Sequence, residues 1–107
     1  TKKITREDGH INWDEPAEII ERKIRALNPW PGTYAFWDKK RIKILNGIKL
    51  GNGVTKSGEV FKHGSELAIS CLKDAILVKK IQLEGKKSQD AEDLLNGYPD
   101  IIGAVLN

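Results

Sequence analysis

The spacing of apolar and polar positions changes its period once, at Gly32. Upstream of it, Ala17, Ile20, Ile24 and Leu27 recur at helical spacing, with Glu18, Glu21, Arg22 and Arg25 largely off that stripe. The pattern predicts a helix over about Glu15 to Leu27 that buries one face. Asp14 is placed to cap it, and Glu15 and Pro16 suit a first turn that tolerates a negative charge and a missing N–H. The run Asn28-Pro29-Trp30-Pro31-Gly32 stops the helix, because each proline fixes its own φ and drives its predecessor toward an extended conformation. Gly32 is free to take the positive φ that such a corner needs.

Downstream, alternation replaces the helical period. Thr33 to Trp37 is rich in aromatic and β-branched residues, Asp38-Lys39-Lys40 supplies a turn, and Arg41 to Leu45 alternates charged with apolar side chains. This is the pattern of a half-buried hairpin with cations along one face. Further strands are predicted at Gly58 to Lys62, Glu66 to Leu72 and Ala75 to Leu83, with Lys73-Asp74 as the tight connection between the last two. Ser88 to Asn96 reads as a short capped helix that buries Leu94 and Leu95 and stops at Gly97. Five or so short strands with a helix at each end predict a mainly β fold, a small open Greek-key barrel of the oligonucleotide-binding type.

Residues 1–14 have mixed polarity and no sustained period, so they read as the end of an interdomain linker rather than the start of a core, leaving 15–107 as the barrel domain with its leading helix. A chain of 107 residues is one domain and can bury roughly two thirds of its unfolded surface. Cys71 lies in an apolar alternating run and is expected to be a buried hydrophobe, not a nucleophile. With one cysteine no intrachain disulfide can form, and the sequence offers neither an apolar run of ~18 residues nor a secretory leader. A soluble, cytoplasmic, monomeric domain without membrane contact is the expectation.

The net charge of +3 is unevenly distributed. Residues 1–37 carry six basic and six acidic side chains, 38–87 carry twelve against five, and 88–107 carry none against four. A basic middle closed by an acidic tail points to a polyanionic partner, of which a nucleic acid backbone is the commonest. Other chemistry finds little support. His10, His63 and Cys71 have no zinc spacing, so no metal is expected. Gly51 to Ser57 has no strand-to-helix context for a phosphate loop and reads as a hairpin loop. Asp90, Glu92 and Asp93 sit where carboxylates serve a helix N-terminus, so no catalytic residues are assigned. Trp13, Trp30 and Trp37 could stack on bases, or pack the helix against the barrel, which is the preferred role for Trp30.

The run Lys3-Ile4-Thr5-Arg6-Glu7-Asp8-Gly9-His10-Ile11-Asn12-Trp13, the helix, and Ile24-Arg25-Ala26-Leu27-Asn28-Pro29-Trp30-Pro31-Gly32 together resemble the start of the C-terminal domain of methionyl-tRNA formyltransferases. The likeness continues through Lys40-Arg41-Ile42-Lys43-Ile44, Gly58-Glu59-Val60, Leu83-Glu84-Gly85-Lys86-Lys87 and Asp93-Leu94-Leu95-Asn96-Gly97. The Pro-Trp-Pro-Gly corner is shared with related formyltransferases. The resemblance implies a tRNA-binding barrel, with Lys3, Lys39, Lys40, Arg41, Lys43, Lys86 and Lys87 as the expected contacts to initiator tRNA. It also implies a separate catalytic domain that transfers a formyl group from formyltetrahydrofolate, so no cofactor is expected on these residues. Asn12 stands where the family usually has aspartate, and the tail after Gly97 is apolar where the family often has basic residues. The competing reading is an accessory or oligomerisation domain of a small-molecule formyltransferase, with Ile101 to Leu106 as an interface segment.

Overall fold

In the computed structural model, which describes residues 9–28, 32–51 and 55–107, the alternating stretches pair into one antiparallel sheet. Lys3, the Pro29-Trp30-Pro31 corner and the tip of the loop at 52–54 lie outside the described residues. The strands β1 (Thr33–Trp37), β2 (Lys40–Leu50), β3 (Val60–His63), β4 (Glu66–Ser70) and β5 (Ala75–Leu83) are ordered β1-β2-β5-β4-β3, and β6 (Gln89–Asp90) pairs with β5. Placing β2 beside β5, with the β3–β4–β5 meander returning to it, makes a Greek key. Helices α1 (Ala17–Leu27) and α2 (Ala91–Gly97) and the 3₁₀ turn Pro99–Ile101 complete the fold.

Period-2 alternation puts Ile42, Ile44, Val60, Leu67, Ile69, Ile76, Val78, Ile81 and Leu83 on the inner face. Ile20 and Ile24 of α1 and Ala91 and Leu94 of α2 join them in one core. β2 runs to Leu50, past the expected end at Leu45, because its pairing with β5 continues through register shifts between Ile44 and Asn46 and between Asn46 and Gly47. Such bulges coil a strand, so that one long strand serves both halves of the barrel. A Cβ on Gly47 would come within 2.8 Å of Ile76 Cγ2, so glycine is needed for this close approach.

Two expectations require correction. Asp14 does not cap α1; its own N–H donates to Asn12 Oδ1 (3.1 Å), and Pro16 occupies the N-cap position with no side-chain bond. The orphan N–H of Ala17 donates instead to the Lys73 carbonyl (2.9 Å), so the β4–β5 turn does the capping. Residues 9–14 contribute more than a linker would, since Ile11 and Trp13 are members of the core. The apolar tail divides, with Ile101 and Leu106 buried in the chain's own core and Ile102 and Val105 exposed.

β1 and β3 are the two edges of the sheet and do not pair with each other. The tail lies in the gap between them. On the β3 side, Gly103 N–H donates to the Val60 carbonyl, Val60 N–H to Ala104 and Leu106 N–H to Gly58, each at 2.8 Å. On the β1 side, Phe36 and Asn107 exchange both backbone bonds at 2.9 and 3.0 Å. Backbone that would otherwise present open edges is thereby satisfied. Cys71 is the expected buried hydrophobe, with its thiol pushed up to about 12 by burial, against a lowering backbone bond to Ile76 and with a further push from the Asp74 carboxylate. Among the described residues no helix is long and apolar enough to cross a membrane.

Candidate nucleic-acid interface

Residues directly opposite in an antiparallel pair share a face. Tyr34 stands opposite Lys43, which stands opposite Gln82, and Phe36 stands opposite Arg41. Their chain neighbours Thr33, Ala35, Ile42 and Ile44 are fully buried, so Tyr34, Phe36, Arg41 and Lys43 occupy the outer face of the β1–β2–β5 end of the sheet. The Arg41 guanidinium carbon lies 5.5 Å from the Tyr34 ring centre, within cation–π range. The Arg41 N–H donates to Glu84 Oε1 (3.1 Å) and its carbonyl accepts from the Glu84 N–H (2.9 Å), so the end of β5 is held against this face.

His10 extends the face past the edge of β1. It bridges to Tyr34, and its ring stacks on the Tyr34 ring at 5.2 Å with 3° between the planes. Phe36 stands edge-on to both, at 5.4 Å from His10 and 5.7 Å from Tyr34. A carbonyl can only accept, so His10 Nε2 is the donor to Asn107 O (3.1 Å), while Lys23 Nζ donates to the His10 carbonyl (3.2 Å). Gly9 makes this approach possible, because a Cβ there would overlap the Gly32 carbonyl. Gly32 itself has φ 86°, the left-handed conformation expected of the corner.

The structure brings most of the expected contacts to one end of the sheet. Lys39 and Lys40 are exposed at the β1–β2 turn and line a cleft with Trp37, Tyr98 and Asp100. Lys86 and Lys87 are exposed in the turn after β5, which Gln82 Nε2 draws in by donating to the Lys86 carbonyl (2.8 Å). Because β2 begins where β5 ends, both turns flank the face that carries Arg41 and Lys43. Strand alternation turns Lys40 to the opposite side from Arg41. Beside His10 an open groove of about 800 Å³ is lined by Trp13, Lys56, Ser57 and Asn107, among others.

These cations lie outside the ion pairs among the described residues, as do Lys23, Lys56, Lys62 and Lys73. Among the described residues, the ion pairs are Arg22–Glu18, Arg25–Glu21, Lys49–Asp74, Lys79–Glu66 and Lys80–Asp90. None of them engages Lys39, Lys40, Arg41, Lys43, Lys86 or Lys87. The two described tryptophans take the packing role: Trp13 is buried in the core, and Trp37 packs against it with Tyr98 edge-on at 6.1 Å, while Trp30 lies outside the described residues. The outer-face aromatic groups that sequence reasoning missed are exposed His10 and half-buried Tyr34 and Phe36. Tyr34 and Phe36 were open to inference from the hairpin, since their alternation matches that of Arg41 and Lys43.

Residues 3–99 match the family model described as formyl transferase, C-terminal domain. The chain belongs to that family. Relatives of this formyl transferase C-terminal domain include methionyl-tRNA formyltransferases of Geotalea daltonii, 35% identical over 104 residues, and Akkermansia muciniphila, 39% identical over 106. These matches span 96% and 92% of this chain but only 33% and 34% of the relatives, so the domain covers about a third of their length. A crystal structure of HypX from Aquifex aeolicus in complex with tetrahydrofolic acid is similar in fold, with TM-score 0.77, 16% identity, and coverage of 94% of this chain and 18% of that one.

Proposed function

We propose that this domain is the tRNA-binding part of a methionyl-tRNA formyltransferase, holding initiator tRNA while a separate catalytic domain moves the formyl group from formyltetrahydrofolate to the methionyl amine. The observation that carries the reading is the set of cations without ion-pair partners among the described residues, gathered around one end of a sheet in a domain whose relatives bear that enzyme's name. Phosphates are held by such groups without any reading of bases, which suits a domain that positions a large substrate for chemistry elsewhere. The reading places the domain in the cytoplasm, in translation initiation, with the catalytic domain as its covalent partner. The accessory-domain alternative keeps only Ile102 and Val105 as exposed apolar tail residues, since Ile101 and Leu106 are spent on the chain's own core.

The test is a filter-binding titration of the 107-residue chain with initiator tRNA across a range of salt. Each phosphate neutralised adds roughly 0.7 to 0.9 to the slope of log affinity against log salt. Replacing Lys40, Arg41 and Lys43 together with alanine is expected to weaken binding and lower that slope by about 2 while the fold persists. A flat salt response, or a triple variant that binds as the parent does, overturns the assignment. Formylation by the 107-residue chain alone would overturn the division of labour.

A further inference from the structure

We propose that the His10–Tyr34–Phe36 cluster is a stacking platform for an unpaired base of the bound RNA, so that the interface takes single-stranded nucleotides at β1 and phosphates at β2. This rests on the nucleic-acid reading above and deepens it. Three aromatic rings meet on the outer face of an edge strand, with His10 exposed and Tyr34 and Phe36 half-buried. The neighbouring groups on that face are Arg41, Lys43, Gln82 and Glu84. No aliphatic side chain shares these two rows, so the surface does not suit an apolar protein partner. Rings flanked by cations are the combination by which proteins hold unpaired nucleotides, since every base has a π-face and every linkage a phosphate. Arg41 over Tyr34 adds a guanidinium plane to the same stack. The Glu84 carboxylate is the one acidic group there; its Oε1 accepts from the Arg41 N–H at the border of the face. The order across the strands assigns direction: base at the β1 edge, backbone over β2, and the Lys86–Lys87 turn beyond β5.

The experiment compares two RNAs of equal charge, a fully paired duplex and a stem-loop with 2-aminopurine in the loop, each titrated with the 107-residue chain and with its Tyr34→Leu and Phe36→Leu variants. Leucine keeps apolar bulk under the face but has no ring on which to stack. The expected result is quenching of 2-aminopurine by the parent, a loss of about 5- to 100-fold in stem-loop affinity for each variant, and duplex affinity and salt slopes that stay unchanged. Unchanged duplex affinity also reports that the variants are folded. An unquenched 2-aminopurine with bound stem-loop, or equal losses on both RNAs, overturns the platform and leaves the cationic interface standing. No binding of either RNA by the parent overturns the nucleic-acid reading and the platform with it.

Discussion

The two halves of β2 lie on the same core yet present opposite outer surfaces. Over its first half, Arg41 and Lys43 stand beside Tyr34 and Phe36, and no described ion pair neutralises them. Over its second half, Ile48 stands opposite Leu77, Leu77 opposite Ala68 and Ala68 opposite Phe61, an apolar row of which Ile48 is 45% exposed. Two lysines near that row are matched, Lys79 with Glu66 at 2.6 Å and Lys49 with Asp74 at 3.8 Å. Both ends are equally rich in lysine along the sequence. What distinguishes them is that carboxylates engage Lys49, Lys79 and Lys80, whereas no ion pair among the described residues engages Arg41 or Lys43, whose charge stays available to an external anion.

If the contrast is confined to the outer face, the inner face should be uniform. Ile81 lies under the first half and Ile76 under the second, both fully buried. Replacing either with alanine is expected to cost about 2 to 5 kcal/mol, with a single unfolding transition in each case. Denaturant unfolding followed by fluorescence checks this, and separate transitions for the two ends would break the comparison. Next in size is the exchange of charge sets. The Lys40, Arg41 and Lys43 triple alanine variant should lose about 100-fold in tRNA affinity at low salt, whereas alanine at Lys49, Lys79 and Lys80 should change it by less than about 3-fold. Equal losses would mean that net charge, not placement, governs binding.

At the second end, Cys71 makes stability fall in alkali. Its thiol ionises near its ordinary value of 9.0 when unfolded but is held up to about 12 when folded, so the unfolded chain sheds its proton first. Between pH 9 and 12 this contribution removes up to about 1.4 kcal/mol per pH unit, and below pH 9 it vanishes. Cys71→Ala is expected to flatten that part of the pH profile in thermal melts. The smallest effect is the Lys79–Glu66 pair, half-exposed, for which a double-mutant cycle should give about 0.5 kcal/mol of coupling, fading with salt.

Local signals carried much of this fold into the sequence. Thr33–Trp37 and Ala75–Leu83 have their expected bounds because alternation and flanking turns coincide there. Asn46 and Gly47 look like the end of a strand, and the bulges that carry β2 through them depend on pairing with β5, far along the chain. The start of α1 was misread for the same reason, since its capping carbonyl belongs to Lys73. At the site, the alternation of Arg41 and Lys43 was legible. The place of His10 was not, because it depends on a bridge between the lead-in and β1 that no local pattern encodes.

The tail between β1 and β3 has a consequence for how the domain is made. Synthesis runs from the amino end, and the residues that join the two edges, Gly103 to Asn107, leave the ribosome after everything they join. Until they emerge, the β3 edge and the Phe36 part of the β1 edge lack these partners, so the two edges are joined only after the rest of the sheet has been made.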